Sequence, residues 1–228
     1  MIRSFAAGSR RVQLALPAVA CGAVVLAVPA TASAAVTATI PVGTAPHGVA
    51  IDNQTGFAFV TNTAGNTVSV IDTGTDTVTA TIRVGVNPVG VAVDVPSDTV
   101  YVANSGSNTV SVINGATDTV TATIPVGHQP SGVAENPETG FVYITNCAAN
   151  TVSVIDGESE RVTATIKVGK SPLAIGLSTG ADTVYVANHA DNTVSVIDGD
   201  TNQVIATIPV GGEHFQVAAR PSPATGWL

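Results

Sequence analysis

The chain has 228 residues, of which 45% are hydrophobic and only 11% are charged. Its sixteen acidic residues outnumber its eight basic ones, which gives a net charge of −8. A protein of this charge lacks the basic surface that attracts phosphate backbones. The composition therefore argues against nucleic acid and anionic lipid as partners.

Residues 1–34 have the organisation of a secretory signal peptide. Arg3, Arg10 and Arg11 precede an apolar run over residues 14–28, which ends at Ala32-Ser33-Ala34. A basic start, an apolar centre and a small-residue cleavage site are typical of export signals. The apolar run is short for a membrane span, and no second one follows. We therefore predict cleavage after Ala34 and a secreted or cell-surface protein without a membrane span. The paired arginines leave the twin-arginine and general secretory routes both open.

Removal of the signal peptide leaves five basic residues against sixteen acidic ones, a net charge of −11, and a single cysteine, Cys147. A lone cysteine excludes an internal disulfide and either pairs between molecules or stays free. Cys147 occupies the repeat position of Thr63, Ser105 and His189. This position favours a small residue that is tolerated in a loop.

A unit of 42 residues recurs four times without insertion. The phrase Asn-Thr-Val-Ser-Val-Ile followed by Asp or Asn begins at Asn66, Asn108, Asn150 and Asn192. Prolines follow the same period, at Pro46, Pro88, Pro130 and Pro172. Self-similarity at a fixed period of this length predicts a repeat architecture.

Residues 86–127 show what one unit predicts. Apolar or β-branched segments at 89–93, 99–103 and 109–113 are separated by clusters of Asn, Asp, Gly and Ser, which favour turns. In residues 119–124, Thr alternates with Val, Ala and Ile, as in a strand with one polar face. Four short strands joined by tight turns form an antiparallel meander, the unit of a β-propeller blade.

The order of strands within the blade also follows from the residues. The first strand carries Gly-Val-Ala from Gly48, Gly90 and Gly132, and small residues let neighbouring backbones approach at a propeller axis. The fourth strand carries proline, which is tolerated at a sheet edge, at Pro41, Pro125 and Pro209. We therefore predict the first strand innermost and the fourth outermost. A solenoid of hairpins is the rival fold, and it explains the prolines less well.

The repeated phrases resemble a known family. Val-Tyr-Val-Ala-Asn from Val100 and Val184, and Val-Tyr-Ile-Thr-Asn from Val142, resemble the motif that names the YVTN-repeat β-propellers. The resemblance extends over residues 36–211. It implies an exported or surface propeller, usually of seven blades, that acts as a binding or scaffold module. It implies no catalytic residues, because none are shared across that family.

The chain departs from this pattern in its number of blades. We predict an all-β, propeller-like array over residues 35–211, with an outer strand at 36–42 and four complete four-stranded antiparallel blades. Residues 212–228 retain only Val217-Ala218 of the repeat and would form an incomplete fifth blade and a tail. The expected shape is an open arc or an imperfectly closed ring.

The turns divide the charges between two faces. Turns after the first and third strands share one face, which we call the acidic face; it holds Asp52, Asp72, Asp76, Asp94, Asp98, Asp118, Glu135, Glu138, Asp156, Glu158, Glu160, Asp182, Asp198 and Asp200. Asp198-Gly199-Asp200 resembles the opening of a calcium loop but lacks its later glycine and closing glutamate. We therefore interpret these acids as turn formers. The asparagines at 62, 104, 146 and 188 are predicted to stabilise turns together with those at 66, 108, 150 and 192.

Candidate ligand residues lie mainly on the opposite face, which we call the histidine face. They are His47, His128, Cys147, His189 and His214, joined by Glu135 as an odd residue near the axis. The histidines occupy three different positions in the repeat, so no metal site is predicted. Glu135 takes the apolar position of Ile51 and Val93. We expect its carboxylate to turn into solvent at the strand end.

These observations favour an exported, non-catalytic propeller that binds a protein or a cell-surface glycan and needs no cofactor. One alternative is an enzyme resembling propeller lactonases or virginiamycin B lyase, with His47, His128, His214 and Glu135 as candidates. A second alternative is a structural protein that self-associates through open blade edges, with Cys147 bridging molecules.

Overall fold

The structure is a computed structural model that describes Val36 and residues 38–212. The predicted signal peptide, the predicted incomplete fifth blade and His214 lie outside these residues. The described part forms sixteen strands and one short 3₁₀ turn, Thr179–Ala181. The strands are β1 Pro46–Asp52, β2 Phe57–Asn62, β3 Thr67–Asp72, β4 Thr77–Arg83, β5 Pro88–Asp94, β6 Thr99–Asn104, β7 Thr109–Asn114, β8 Thr119–Pro125, β9 Pro130–Asn136, β10 Phe141–Asn146, β11 Thr151–Asp156, β12 Arg161–Lys167, β13 Pro172–Ser178, β14 Thr183–Asn188, β15 Thr193–Asp198 and β16 Gln203–Pro209.

The strands form four antiparallel sheets, and each sheet contains four strands in chain order. Blade 1 is β1 to β4, blade 2 is β5 to β8, blade 3 is β9 to β12 and blade 4 is β13 to β16. The four sheets are not closed into a ring, and no α-helix occurs among the residues described. The prediction of four complete blades in an open, all-β array is confirmed.

The first strand of each blade is innermost, as predicted. β1 packs against β5, β5 against β9 and β9 against β13, whereas the fourth strands of neighbouring blades barely meet. Glycine makes this approach at the hub feasible. A Cβ added at Gly48, Gly90 or Gly132 would collide with the carbonyl oxygen of Val89, Ser131 or Leu173 in the next blade.

Apolar cores fill the spaces between blades. The ring of Phe59 is fully buried and packs with Val100 and Val102 of blade 2. Tyr101 and Tyr143 occupy the same repeat position and extend towards blades 3 and 4 in the same way. Burying side chains of this size contributes about 1.5–3 kcal/mol each, so these inter-blade cores hold the arc together.

The repeated asparagines have two different roles. Asn104 is buried, and its Nδ2 donates to Thr109 Oγ1 at 3.2 Å and to Ser111 Oγ at 3.0 Å across the turn after β6. The same pair of bonds recurs at the other three positions, which confirms the turn role. The second asparagine of each pair takes the left-handed conformation within the turn, at φ 51–57°, and three of the four also bind the linker to the next blade. Asn108 Oδ1 accepts the backbone N–H of Gln129, at 2.9 Å, in the linker to the next blade.

The predicted outer strand at residues 36–42 is wrong. Residues 38–42 form no strand. An outer strand needs a third strand beside it, and each of the four third strands already pairs with the fourth strand of its own blade. No ladder edge of a described third strand remains for residues 38–42.

Replacement of Gly90 by Ala tests the close approach at the hub. The added methyl group would overlap the Ser131 carbonyl, so we expect a loss of stability of about 1–3 kcal/mol, as for other overpacked interiors. The measurement is thermal or urea unfolding followed by circular dichroism. Gly212→Ala is the control, because an added Cβ there meets only Asn192 Oδ1, at 3.8 Å. Equal midpoints for the two variants would contradict the proposed packing.

Candidate ligand-binding cleft

The carboxylates of the acidic face mostly organise their own turns, as predicted. Asp72 Oδ1 accepts the N–H groups of Gly74 and Thr75, at 2.8 and 3.1 Å. Asp198 Oδ1 accepts the N–H and the hydroxyl of Thr201. These bonds hold the pKa of Asp198 below its usual value, with the Thr201 amide as the main cause.

The acidic face nevertheless keeps an uncompensated negative charge. Among residues 38–212 the one ion pair joins Lys170 Nζ to Asp191 Oδ1, at 3.7 Å, and both lie on the histidine face. The turn carboxylates therefore find backbone donors but no cations. A surface of this kind attracts positively charged ligands over a range of about 8–10 Å at ordinary salt.

Glu135 departs from this pattern because it is partly buried. It lies in β9 and pairs with Val142, and its repeat equivalent Val93 packs in the core between blades 1 and 2. The pleat of β9 therefore directs the carboxyl towards blade 2, and its Oε1 is buried without a hydrogen-bond partner in the structure. The expectation that this carboxylate turns into solvent is wrong.

Burial changes the acid–base chemistry of the site. It raises the pKa of Glu135 to about 8, and the negative charge of Asp94 adds to the effect. The pKa of Tyr101 rises to about 12, first because of burial and then because of Asp94, Glu135, Glu160 and Asp156. At neutral pH, Glu135 is therefore mostly a neutral carboxylic acid, with the carboxylate of Asp94 nearby.

A cleft of about 360 Å³ opens beside these groups, between blades 2 and 3 on the acidic face. Gly157 allows the cleft to form, because a Cβ there would lie 2.8 Å from the Tyr101 hydroxyl and 2.9 Å from the Gly140 carbonyl. Nothing in the lining is cationic; the lining residues are Asp94, Ser97, Thr99, Tyr101, Thr139, Gly140, Asp156, Gly157 and Glu158. The cleft is suited to a cationic group or to a ligand that donates hydrogen bonds.

The other candidate residues do not join Glu135. His47 lies in β1 of blade 1, His128 lies in the loop before β9, and His189 follows β14 of blade 4. Cys147 is half-buried after β10, where its N–H donates to Gln129. Within the part of the chain that the structure describes, no group of three His, Cys, Asp or Glu side chains gathers as metal ligands.

Sequence reasoning identified Glu135 but missed Tyr101 and Asp94 as its neighbours. The two residues belong to β6 and β5, whereas Glu135 belongs to β9 of the next blade. Their proximity comes from the packing of one blade on another, which no spacing within a single repeat reveals. The sequence did offer one signal, the 42-residue period. It places an aromatic residue in the second strand of a blade, and that side chain faces the first strand of the next blade.

Comparison with known proteins agrees with this architecture. A family model described as YNCE-like beta-propeller matches residues 89–168. The matched segment is about a third of the chain, and it supports the resemblance to the YVTN-type β-propellers. Hydrazine synthase of Kuenenia stuttgartiensis is a structural match with a TM-score of 0.69 and 24% identity.

That alignment covers 75% of this chain and 51% of the hydrazine synthase chain, so this chain spans about half the length of that match. At this identity the likeness shows the fold alone. No curated protein matches the chain. Within residues 38–212, the structure contains no helix with the length and hydropathy needed to cross a bilayer.

Replacement of Glu135 by Leu, the residue at the equivalent position 177, tests the buried carboxyl. A raised pKa means that the folded protein loses stability as the pH rises from 4.5 towards 8, at about 1.4 kcal/mol per pKa unit. Glu135→Leu should therefore raise the melting temperature much more at pH 9 than at pH 5. Glu158→Gln removes an exposed acid of the same cleft and is the control. The same shift at both pH values would refute the assignment.

Proposed function

We propose that this chain is an exported, non-catalytic binding or scaffold propeller that recognises a positively charged segment of a partner protein. The acidic face supplies the attraction, and the cleft between blades 2 and 3 takes a Lys or Arg side chain. The observation that carries the proposal is the cleft itself, which gathers Asp94, Asp156 and Glu158 without a cation in its lining. Glu135 lies close enough to Asp94 for the charge of Asp94 to raise its pKa.

The buried carboxyl of Glu135 gives the cleft a reason to prefer a cation. Its Oε1 has no partner in the structure, and a buried polar atom without a partner costs about 1–3 kcal/mol. A Lys ammonium or Arg guanidinium entering beside Tyr101 would supply donors to this oxygen and stabilise its ionised form. Binding would then release the proton of Glu135, so the affinity should rise as the pH approaches 8.

Export and surface location belong to the same proposal and are supported by the signal-like residues 1–34. A folded domain outside the cell with a net charge near −11 stays soluble and attracts basic segments. A protein partner fits these features better than a neutral glycan, because neutral sugars gain nothing from an uncompensated negative face.

The test is binding of a short peptide of alternating Lys and Ser, measured by calorimetry, with the same peptide carrying Glu in place of Lys as the negative probe. We expect the basic peptide to bind, more weakly at high salt and more strongly at pH 8 than at pH 6.5. Glu135→Leu should lower the affinity about tenfold, which is about 1.4 kcal/mol, and remove most of the pH dependence.

Asp191→Asn is the matched control, since it removes a carboxylate from the histidine face. An equal effect of this control would show general charge attraction without a role for the cleft. Binding of a neutral oligosaccharide in preference to the basic peptide would refute the proposal.

A second candidate function is assembly of copies through the two end faces of the arc. Val49 and Ile51 of β1 are 64% and 57% exposed, whereas their equivalents Val91 and Val93 pack against blade 1. At the other end, Ile208 of β16 is 45% exposed, whereas its equivalents in blades 1 to 3 are 5–6% exposed. The exposed face of blade 1 is equivalent to the face by which blade 2 packs against blade 1. The exposed face of blade 4 is equivalent to the face by which each earlier blade packs against the next. Two copies can therefore join in the way that neighbouring blades of one chain do.

Assembly predicts a mass in solution near twice that of the monomer, measured by light scattering coupled to size exclusion. Ile51→Glu should return the protein to a monomer, because a charge would be buried in the joint without a partner. Ile205→Thr, which restores the residue of the equivalent exposed position 163, should leave the mass unchanged. A monomeric parent protein would rule out this second candidate.

A further inference from the structure

Asp52 is a fully buried carboxylate at the end of β1, with no exposed surface. Its Oδ1 accepts the N–H groups of Gln54, at 2.7 Å, and Thr55, at 3.2 Å. Its Oδ2 is buried and has no hydrogen-bond partner. The hydrogen bonds of its own turn therefore account for the burial of Oδ1, whereas Oδ2 is buried without a donor.

The equivalent contact between blades 3 and 4 indicates which group lies opposite Oδ2 of Asp52. Asn136 stands at the position equivalent to Asp52, and its Oδ1 likewise accepts the N–H two residues ahead, that of Glu138, at 3.0 Å. Its Nδ2 donates to Asp182 Oδ1 of blade 4, at 2.7 Å, across the boundary between two neighbouring blades, which we call a seam. The residue equivalent to Asp182 is Asp98, whose Oδ1 is also buried without a partner. The seam between blades 1 and 2 thus has two carboxylate oxygens where the later seam has an amide and a carboxylate.

The side chain of Asp98 has little freedom to move away from the carboxylate of Asp52. Its backbone carbonyl accepts the N–H of Gly115 at 2.8 Å, and a Cβ added at Gly115 would collide with its carboxyl group. The backbone carbonyl of Asp182 likewise accepts the N–H of Gly199, at 2.7 Å, and a Cβ added at Gly199 would collide with the Asp182 carboxyl group. The two seams therefore share their geometry and differ in one hydrogen-bond donor.

We propose that Asp52 and Asp98 share one proton across the seam between blades 1 and 2. The proton resides on Asp98, whose O–H donates to Oδ2 of Asp52, and Asp52 remains ionised because its Oδ1 holds two backbone amides. The shared proton replaces the amide hydrogen of the Asn136–Asp182 pair. The seam is therefore an acid-stabilised joint, tighter at low pH and weaker when Asp98 loses its proton to solvent.

The surrounding charges agree with this assignment. The charged group that acts on the pair is acidic: it is Asp118, on the turn before β8 of the same blade as Asp98. The pKa of Asp98 is raised, first by burial and then by the charges of Asp52 and Asp118. Burial also acts to raise the pKa of Asp52, but the amides of Gln54 and Thr55 outweigh it and leave this pKa below its usual value.

Asp118 does not account for the unpartnered oxygens. Its own Oδ1 is buried without a partner, but so is Oδ1 of Asn202, the equivalent residue in blade 4. This feature is common to both blades and does not distinguish the first seam. Since no three ligand-type side chains gather among the described residues, a proton explains the pair with fewer groups than a metal ion.

The experiment compares the parent protein with Asp52→Asn, which recreates the Asn–Asp pair of the later seam. A raised pKa at Asp98 makes the parent lose stability as the pH rises above 3.8 towards the raised value. We expect equal melting temperatures near pH 3.5 and a growing advantage of Asp52→Asn above it. Each pKa unit of elevation at Asp98 corresponds to a tenfold change in the folding equilibrium constant.

Asp98→Asn also leaves one donor and one acceptor and should behave in the same way, so the test does not depend on one variant. Asp76→Asn removes an exposed acid from blade 1, the blade of Asp52, and should show no such pH-dependent advantage. A carbon-13 NMR titration of the Asp98 carboxyl should place its pKa above that of Asp52.

Three outcomes would overturn the proposal. The first is an Asp52→Asn profile that matches Asp76→Asn at every pH. The second is failure of both Asp52→Asn and Asp98→Asn to fold. The third is stabilisation of the parent, but not of Asp52→Asn, by added calcium chloride, which would show that the two carboxylates hold a cation instead of a proton.

Discussion

The close approach of backbones at the hub is the constraint on which the rest of the structure depends. Gly48, Gly90 and Gly132 let each first strand lie against the carbonyl groups of the next, and a Cβ has no room at any of these positions. Because the hub is this narrow, the aromatic residues of the second strands can reach the neighbouring blade. The inter-blade cores, and the clefts above them, follow from that geometry.

Hydrogen bonds between blades then set how each blade is attached to the next. Thr61 Oγ1 donates to the Val89 carbonyl at 2.8 Å, and Thr145 Oγ1 donates to that of Leu173 at 3.0 Å. Farther from the hub, Asn66 and its equivalents accept the N–H of a linker residue 21 positions ahead, at 2.9 Å in each case. Such bonds contribute about 0.5–1.5 kcal/mol each. The threonine bonds are half-buried and join two of the three seams, whereas the asparagine bonds are exposed and recur at all three described seams.

The sequence predicts the blades well because a blade is a local object. The alternation of Thr with Val, Ala and Ile in β8, and the turn asparagines before β7, depend on neighbours within 42 residues. Contacts between blades are harder to predict. In the sequence, Glu135 is recognisable only as a carboxylate at a repeat position that is otherwise apolar. The packing of β9 beside β6 is needed to show that it lies near Tyr101 and Asp94. The strand expected at 36–42 fails for the same reason, since its partner would have to come from another blade.

Departures from the repeat become informative once the seams are compared with one another. The seam after blade 1 has Phe59 with Val93, the seam after blade 2 has Tyr101 with Glu135, and the seam after blade 3 has Tyr143 with Leu177. Three seams with the same backbone thus differ by single side chains, and each acts as an internal control for the others. Where one seam buries a carboxylate and its equivalents bury an apolar group or an amide, the fold does not require that carboxylate. It must then bind a proton or a ligand to offset the cost of burial.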